Sequence, residues 1–252
     1  MQGLEKVLGT RFARQFGIGI PDSEYPPNFM VPRFTDGRPA REPISLNRFF
    51  SEEKAKLSID GVRLEVYMIP GERADHVAVW LPDSQVLFAG DHVYGSFPNL
   101  YPIRGNVYRD VERWARGVRR LVAFAPKAVM FGYNHVPAWE EYLPMTENYA
   151  RVIESVYEQT IQGMNEGRTA DELATSVRLP EALRTLPCLG DIYGVILWAA
   201  REIFAAKIGR FNGNPTNFVR LTPVEQAVRM AELAGGTDVL VRRAGEAQEK
   251  GD

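Results

Sequence analysis

Three runs in the sequence end an apolar stretch on a side chain that could ligate a metal. They are Ile69-Pro70-Gly71-Glu72, Phe88-Ala89-Gly90-Asp91-His92 and Met130-Phe131-Gly132-Tyr133-Asn134-His135. In a layered α/β fold the carboxyl ends of strands gather at one edge, where ligands are usually held. Glu72, Asp91 and His135 would bring two hard carboxylates and one imidazole to that edge, a donor set that suits Zn²⁺ or a similar divalent ion. Spacing alone is weak support for this: on that basis each carboxylate reads more readily as a solvated loop charge, and His135 equally as a satisfied loop or core histidine. His76, which opens a strand, reads as structural or supporting rather than as a ligand.

These residues must be positioned by strands and a helix packed on them. Period-2 patterns at residues 56–60 and 62–69 flank Asp60-Gly61, a dipeptide suited to a tight hairpin turn. Two more strands are predicted at 76–81 and 85–89, then a helix over 110–124 and a short buried strand at 128–131. Before them lie a helix over 3–16, with no capping residue, and a Pro- and Gly-rich stretch at 17–43 that reads as a loop over a site. After Trp139 the pattern turns helical, at 149–166, 171–177, 191–208, 223–234 and from 237 onward. Thr222-Pro223 and Gly235-Gly236 supply start and stop signals for the fourth of these. The expected fold class is α/β followed by all-α, divided into 1–140 and 141–252.

With 252 residues, 45% of them hydrophobic and 25% charged, the chain can bury a sizeable core. A formal net charge of −2 gives no footprint for nucleic acid. No apolar run has the length of a transmembrane helix, and the single cysteine, Cys188, reads as a small buried apolar residue.

The run from Pro70-Gly71-Glu72 through Val77-Ala78-Val79-Trp80-Leu81-Pro82 to Phe88-Ala89-Gly90-Asp91 resembles the metallo-β-lactamase superfamily. Glu72, where that superfamily commonly has histidine, points to its alkylsulfatase branch. So do Pro98-Asn99-Leu100-Tyr101-Pro102-Ile103-Arg104-Gly105 and, in the helical half, Phe211-Asn212-Gly213-Asn214-Pro215-Thr216-Asn217 and Ala231-Glu232-Leu233-Ala234-Gly235-Gly236. The matches keep the family's order from about residue 60 to 236.

The resemblance implies part of an αββα sandwich followed by a helical dimerisation domain, and metal-dependent hydrolysis of an alkyl sulfate or similar amphiphile by a homodimer. Glu72, Asp91 and His135 become ligands in a site that holds two zinc ions in the intact family; Asn99 and Arg104 become the sulfate-binding pair, and the loop at 96–103 the lining for an alkyl chain. No catalytic acid or base is assigned. The family also has a His-x-His-x-Asp-His cluster upstream, and no such run precedes Glu72 here. The expectation is therefore a fragment of a longer enzyme, with weak metal binding and background hydrolysis from these residues alone. The alternatives are hydrolysis of a thioester, lactone or phosphoester on the same fold, or a non-catalytic dimerisation module.

Overall fold

The computed structural model describes residues 3–24, 49–133, 139–186, 189 and 193–251. His135 and Cys188 lie outside these, as do residues 25–43 of the expected covering loop.

The first element is α1 (Glu5–Gln15), which starts at Leu4 without a side-chain cap and buries none of its residues. Strands β1 (Lys54–Ile59) and β2 (Val62–Met68) form the expected hairpin. Its turn residues Asp60 and Gly61 take φ of 48° and 82°, the two positive values that this tight turn requires. Strands β3 (Val77–Leu81) and β4 (Val86–Gly90) continue the antiparallel meander; α2 (Val111–Val122) then crosses back to β5 (Ala128–Phe131), which pairs parallel to β4. The result is a mixed five-stranded sheet in chain order β1-β2-β3-β4-β5. Asp110 caps α2 by accepting a hydrogen bond from the Arg113 N–H at 3.0 Å.

Helix α2 joins two cores. Its Leu121 packs with Ile69, Ala78, Leu87 and Val129 on one face of the sheet. Its Trp114 and Val118 pack with Tyr149, Val152 and Ile153 of α3 (Trp139–Asn165). Each such fully buried large side chain contributes about 1.5–3 kcal/mol of transfer free energy. The other face of the sheet is apolar as well: Val66, Val79, Phe88 and Met130 are register neighbours across β2 to β5. Phe88 and Met130 are 41% and 38% exposed there. Two apolar faces suit a sheet covered on both sides.

Helix α3 starts ten residues earlier than the apolar spacing indicates, and it carries Pro144 inside. Pro144 is the sixth residue of the helix, beyond the first four N–H groups that lack intrahelical partners, so it forfeits one backbone hydrogen bond that the buried Tyr142 and Thr146 on either side must offset. Beyond it lie α4 (Ala170–Ser176), closed by the reciprocal Thr169–Glu172 capping box, the short α5 (Glu181–Arg184) and α6 (Ile196–Ile208). Helix α6 begins five residues after the predicted start, and Ala199, Ala200, Ile203 and Phe204 bury one side of it in the helical core.

The compact unit that holds the sheet and these helices ends at Arg210. The second unit, from Phe211 on, contains α7 (Pro223–Ala234) and α8 (Thr237–Lys250), and neither helix has a buried residue. Thr222 and Glu225 form a capping box with Pro223 at the first helical position, and Gly235 closes α7 at φ 91°.

Candidate metal and anion site

Glu72 follows β2 by a short turn, and Asp91 immediately follows β4. One histidine ties the two strand ends together. Both ring nitrogens of the fully buried His92 lie on backbone carbonyl oxygens, Nδ1 on that of Ala89 and Nε2 on that of Ile69 at 2.7 Å. The Trp114 indole N–H donates to the His92 carbonyl at 3.0 Å, which fixes the same corner to α2. His76 stacks on His92 with ring centroids 4.2 Å apart, a packing role consistent with the structural reading of that residue.

Glycines let neighbouring elements press directly against these turns. A Cβ on Gly117 of α2 would lie 1.9 Å from the Pro70 carbonyl oxygen, and one on Gly132 would lie 2.0 Å from Asp91 Oδ1. A Cβ on Gly194 would sit 2.3 Å from the Pro98 carbonyl oxygen, beside Asn99. Three separate segments thus back the turns that carry Glu72, Asp91 and Asn99.

Glu72 is held by a residue that sequence reasoning missed. Arg109 donates from Nη1 to Glu72 Oε1 at 2.6 Å and also to the Asn99 carbonyl. The Tyr94 hydroxyl donates to the same Glu72 oxygen at 3.2 Å, and accepts the Asn99 N–H at 2.7 Å. Burial pushes the Glu72 carboxyl above its ordinary range, against the pull of Arg109, and the charge of Asp91 pushes it the same way. Burial also raises Asp91, while His92 and Arg109 oppose it. Burial and the charge of Glu72 keep the Tyr94 phenol well above its usual value, so it stays a donor.

Arg104 emerges beside Glu72 in one cleft of about 410 Å³, whose walls include Glu72, Arg104 and Arg109. Its guanidinium is bonded to neutral groups, Gln15 Oε1 at 3.4 Å and the Tyr193 hydroxyl at 3.0 Å. No ion pair to Arg104 occurs among the described residues, so its charge there is not offset by a carboxylate. Asn99 is fully buried behind this surface, and neither Nδ2 nor Oδ1 of its amide has a hydrogen-bond partner within the protein. The loop expected to line an alkyl chain does something else: Phe97 and Leu100 are 0% and 1% exposed and belong to the helical core.

The described donors fit a hard divalent cation in part. Glu72 and Asp91 are two carboxylates raised by burial, the charge of Asp91 raises Glu72 further, and Arg109 is the buried guanidinium that offsets them; a cation would relieve the remaining repulsion. Among the described residues, however, no group of three or more His, Cys, Asp or Glu closes into a metal site. His135, the third expected ligand, lies outside them. Little in the sequence marks Arg109, an arginine one residue before a helix cap, and its partner stands 37 positions away.

Comparison with known proteins agrees with this architecture. The family model described as metallo-beta-lactamase superfamily matches residues 3–137, and that described as alkyl sulfatase dimerisation matches residues 169–252. A linear primary-alkylsulfatase of Pseudomonas sp. is 33% identical over 202 residues, 77% of this chain and 38% of that protein. An alkyl/aryl-sulfatase of Saccharomyces cerevisiae is 27% identical over 200 residues, 77% of this chain and 31% of that protein. The solved structure of a stereoselective inverting sec-alkylsulfatase from Pseudomonas sp. superimposes with a TM-score of 0.78 at 25% identity, over 82% of this chain and 34% of that one. The chain spans about a third of the length of these relatives. With a strand meander, a crossover helix and a family match over more than half of its 252 residues, the chain belongs to the metallo-beta-lactamase superfamily.

Proposed function

We propose that this chain holds the headgroup of an alkyl sulfate beside a divalent metal site, as part of an alkylsulfatase-type, metal-dependent hydrolysis. The observation that carries the reading is Arg104: a guanidinium with only neutral side-chain partners, in the same cleft as a carboxylate raised by burial. The planar fork of Arg104 would grip two sulfate oxygens, and the Asn99 amide, without a partner in the protein, would donate a further bond if it turns toward the ester. Glu72, Asp91 and His135 would ligate zinc, with two ions in the complete site. When bound, such ions lower the pKa of water and neutralise charge that builds on the ester oxygens. Arg109 and Tyr94 hold Glu72 in place for that task.

We also infer self-association through the helical part, so that residues 1–140 carry the chemistry and 141–252 the dimer contact. Similarity to an alkyl sulfatase dimerisation domain supports it. So do Val224, Val228 and Leu233 of α7, which are 74%, 52% and 84% exposed. No helix of the described residues is long and apolar enough to cross a membrane.

The test is a substrate panel on the protein expressed from its whole natural gene, supplied with zinc. Chelator-sensitive sulfate release from alkyl sulfates, faster than hydrolysis of any thioester, lactone or phosphoester, is expected. Preference for one of the other three esters would overturn the assignment.

A further inference from the structure

We propose that the surface of α1 around Leu8, Gly9 and Phe12 seats the alkyl chain of the substrate, and that Gly9 sets how long a chain is accepted. The proposal rests on the sulfate-binding reading of Arg104. The cleft that contains Arg104, Glu72 and Arg109 is also lined by Leu8, Gly9 and Phe12. Its lining therefore brings cationic and apolar side chains together, as an anionic head on a hydrocarbon tail requires. The loop at 96–103 offers less apolar surface for this part, because its Phe97 and Leu100 are spent in the core.

Helix α1 is fastened to the loop that presents Arg104. Arg11 Nη2 donates to the Ile103 carbonyl at 2.6 Å, and Gln15 Oε1 accepts from the Arg104 backbone N–H at 3.2 Å. Leu8 Cδ2 lies 3.6 Å from where a Cβ on Gly105 would be. Head and tail positions are thus held by one local assembly. Phe12 is 44% exposed on a helix that buries nothing, with its ring 4.4 Å from that of Phe16. An apolar ring left in water in the same cleft as a cation gains by taking up a hydrocarbon chain.

Gly9 has no structural need to be glycine. Its φ is not in the left-handed region, and a Cβ there would meet nothing within 4 Å. In a helix interior glycine is poorer than almost any other residue, so packing and propensity both leave its absence of side chain unexplained. Its place in the lining of the cleft, where a side chain would take up room, accounts for it.

The experiment is calorimetric titration of the full chain with butyl, octyl and dodecyl sulfate, each below its micelle-forming concentration. Affinity is expected to rise with length, up to about fourfold per buried methylene. In Gly9→Phe the loss should grow with length, under about twofold for butyl and tenfold or more for dodecyl sulfate; Phe12→Ser, at an exposed position, should lower the same slope. Wild-type slopes in both variants, with helical circular dichroism retained and Arg104→Lys still weakening every length, would sink the α1 assignment alone. Binding of every length that ignores Arg104→Lys would instead sink the headgroup reading beneath it. Octyltrimethylammonium binding as tightly as octyl sulfate would overturn both.

Discussion

The Arg109 guanidinium meets the Glu72 carboxylate at 2.6 Å with 3% and 15% of the two side chains exposed. A pair this dry behaves differently from the surface pairs elsewhere in the chain, such as Arg184–Glu181, whose side chains are 68% and 70% exposed. Exposed pairs are worth little, whereas removing one partner of a buried pair leaves the other charged and unsolvated.

Arg109→Leu is therefore expected to destabilise the fold by roughly 3 kcal/mol, since it strands Glu72 and frees the Asn99 carbonyl. Adding Glu72→Gln should restore part of that loss. Urea unfolding of the two single variants and the double variant checks it; additive losses would show that the pair is not coupled.

The glycines that back the site should differ in kind. Gly117→Ala drives a methyl into the Pro70 carbonyl, a backbone atom, and should cost about 3 kcal/mol in urea unfolding. Gly132→Ala meets the end of the Asp91 side chain, which can rotate away. It should cost about 1 kcal/mol but weaken divalent metal binding by roughly 10- to 100-fold, the usual effect of disturbing a ligand's support.

Stability should fall between pH 6.5 and 4 in a way that depends on His76. Burial, with the stacked His92 adding to it, lowers the His76 pKa from 6.5 to about 4. Across that window the unfolded chain takes up a proton that the folded chain refuses, so unfolding gains protons and stability drops as the pH drops. The His76→Gln variant should lose less stability from pH 7 to pH 5 than the wild type. An equal loss in both proteins would remove His76 as the cause.

Metal uptake should show the opposite pull of protons and cation on the two carboxylates. Glu72 and Asp91 are both raised by burial, so binding must displace protons at mildly acidic pH and affinity should fall as pH falls. Among the described residues no group of three or more His, Cys, Asp or Glu closes into a metal site, so zinc binding by the 252-residue chain is expected to be weak, with alkyl sulfate hydrolysis at background. Robust chelator-sensitive sulfate release from this chain alone would contradict the expectation.

Helices α7 and α8 have no buried residue, although α7 carries Val224, Val228, Met230 and Leu233. A dimer that covers these side chains should weaken by about tenfold or more in Val224→Glu/Val228→Glu, because association would then have to bury two carboxylates without partners. Sedimentation equilibrium measures it. A wild-type chain that stays monomeric at high concentration would remove the dimer from the proposal.

The five strands, the Asp60-Gly61 turn, the Thr222-Pro223 start of α7 and the strand-end placement of Glu72 and Asp91 are all determined by the sequence alone. Each rests on preferences that act within a few residues: side-chain alternation, positive φ at a tight turn, a cap and its first turn. The start of α3 was not legible, because Pro144 reads locally as a break while the packing of Tyr142 and Thr146 in the interior carries the helix through it. Nor was the environment of the site. Arg109 finds Glu72 across 37 residues, and Gln15 finds Arg104 across 89. Such partners are selected by which elements pack together, not by any spacing along the chain. The same packing sends Phe97 and Leu100 into the core and leaves Leu8 and Phe12 beside the cleft, so tertiary structure alone decided which apolar residues could meet a ligand.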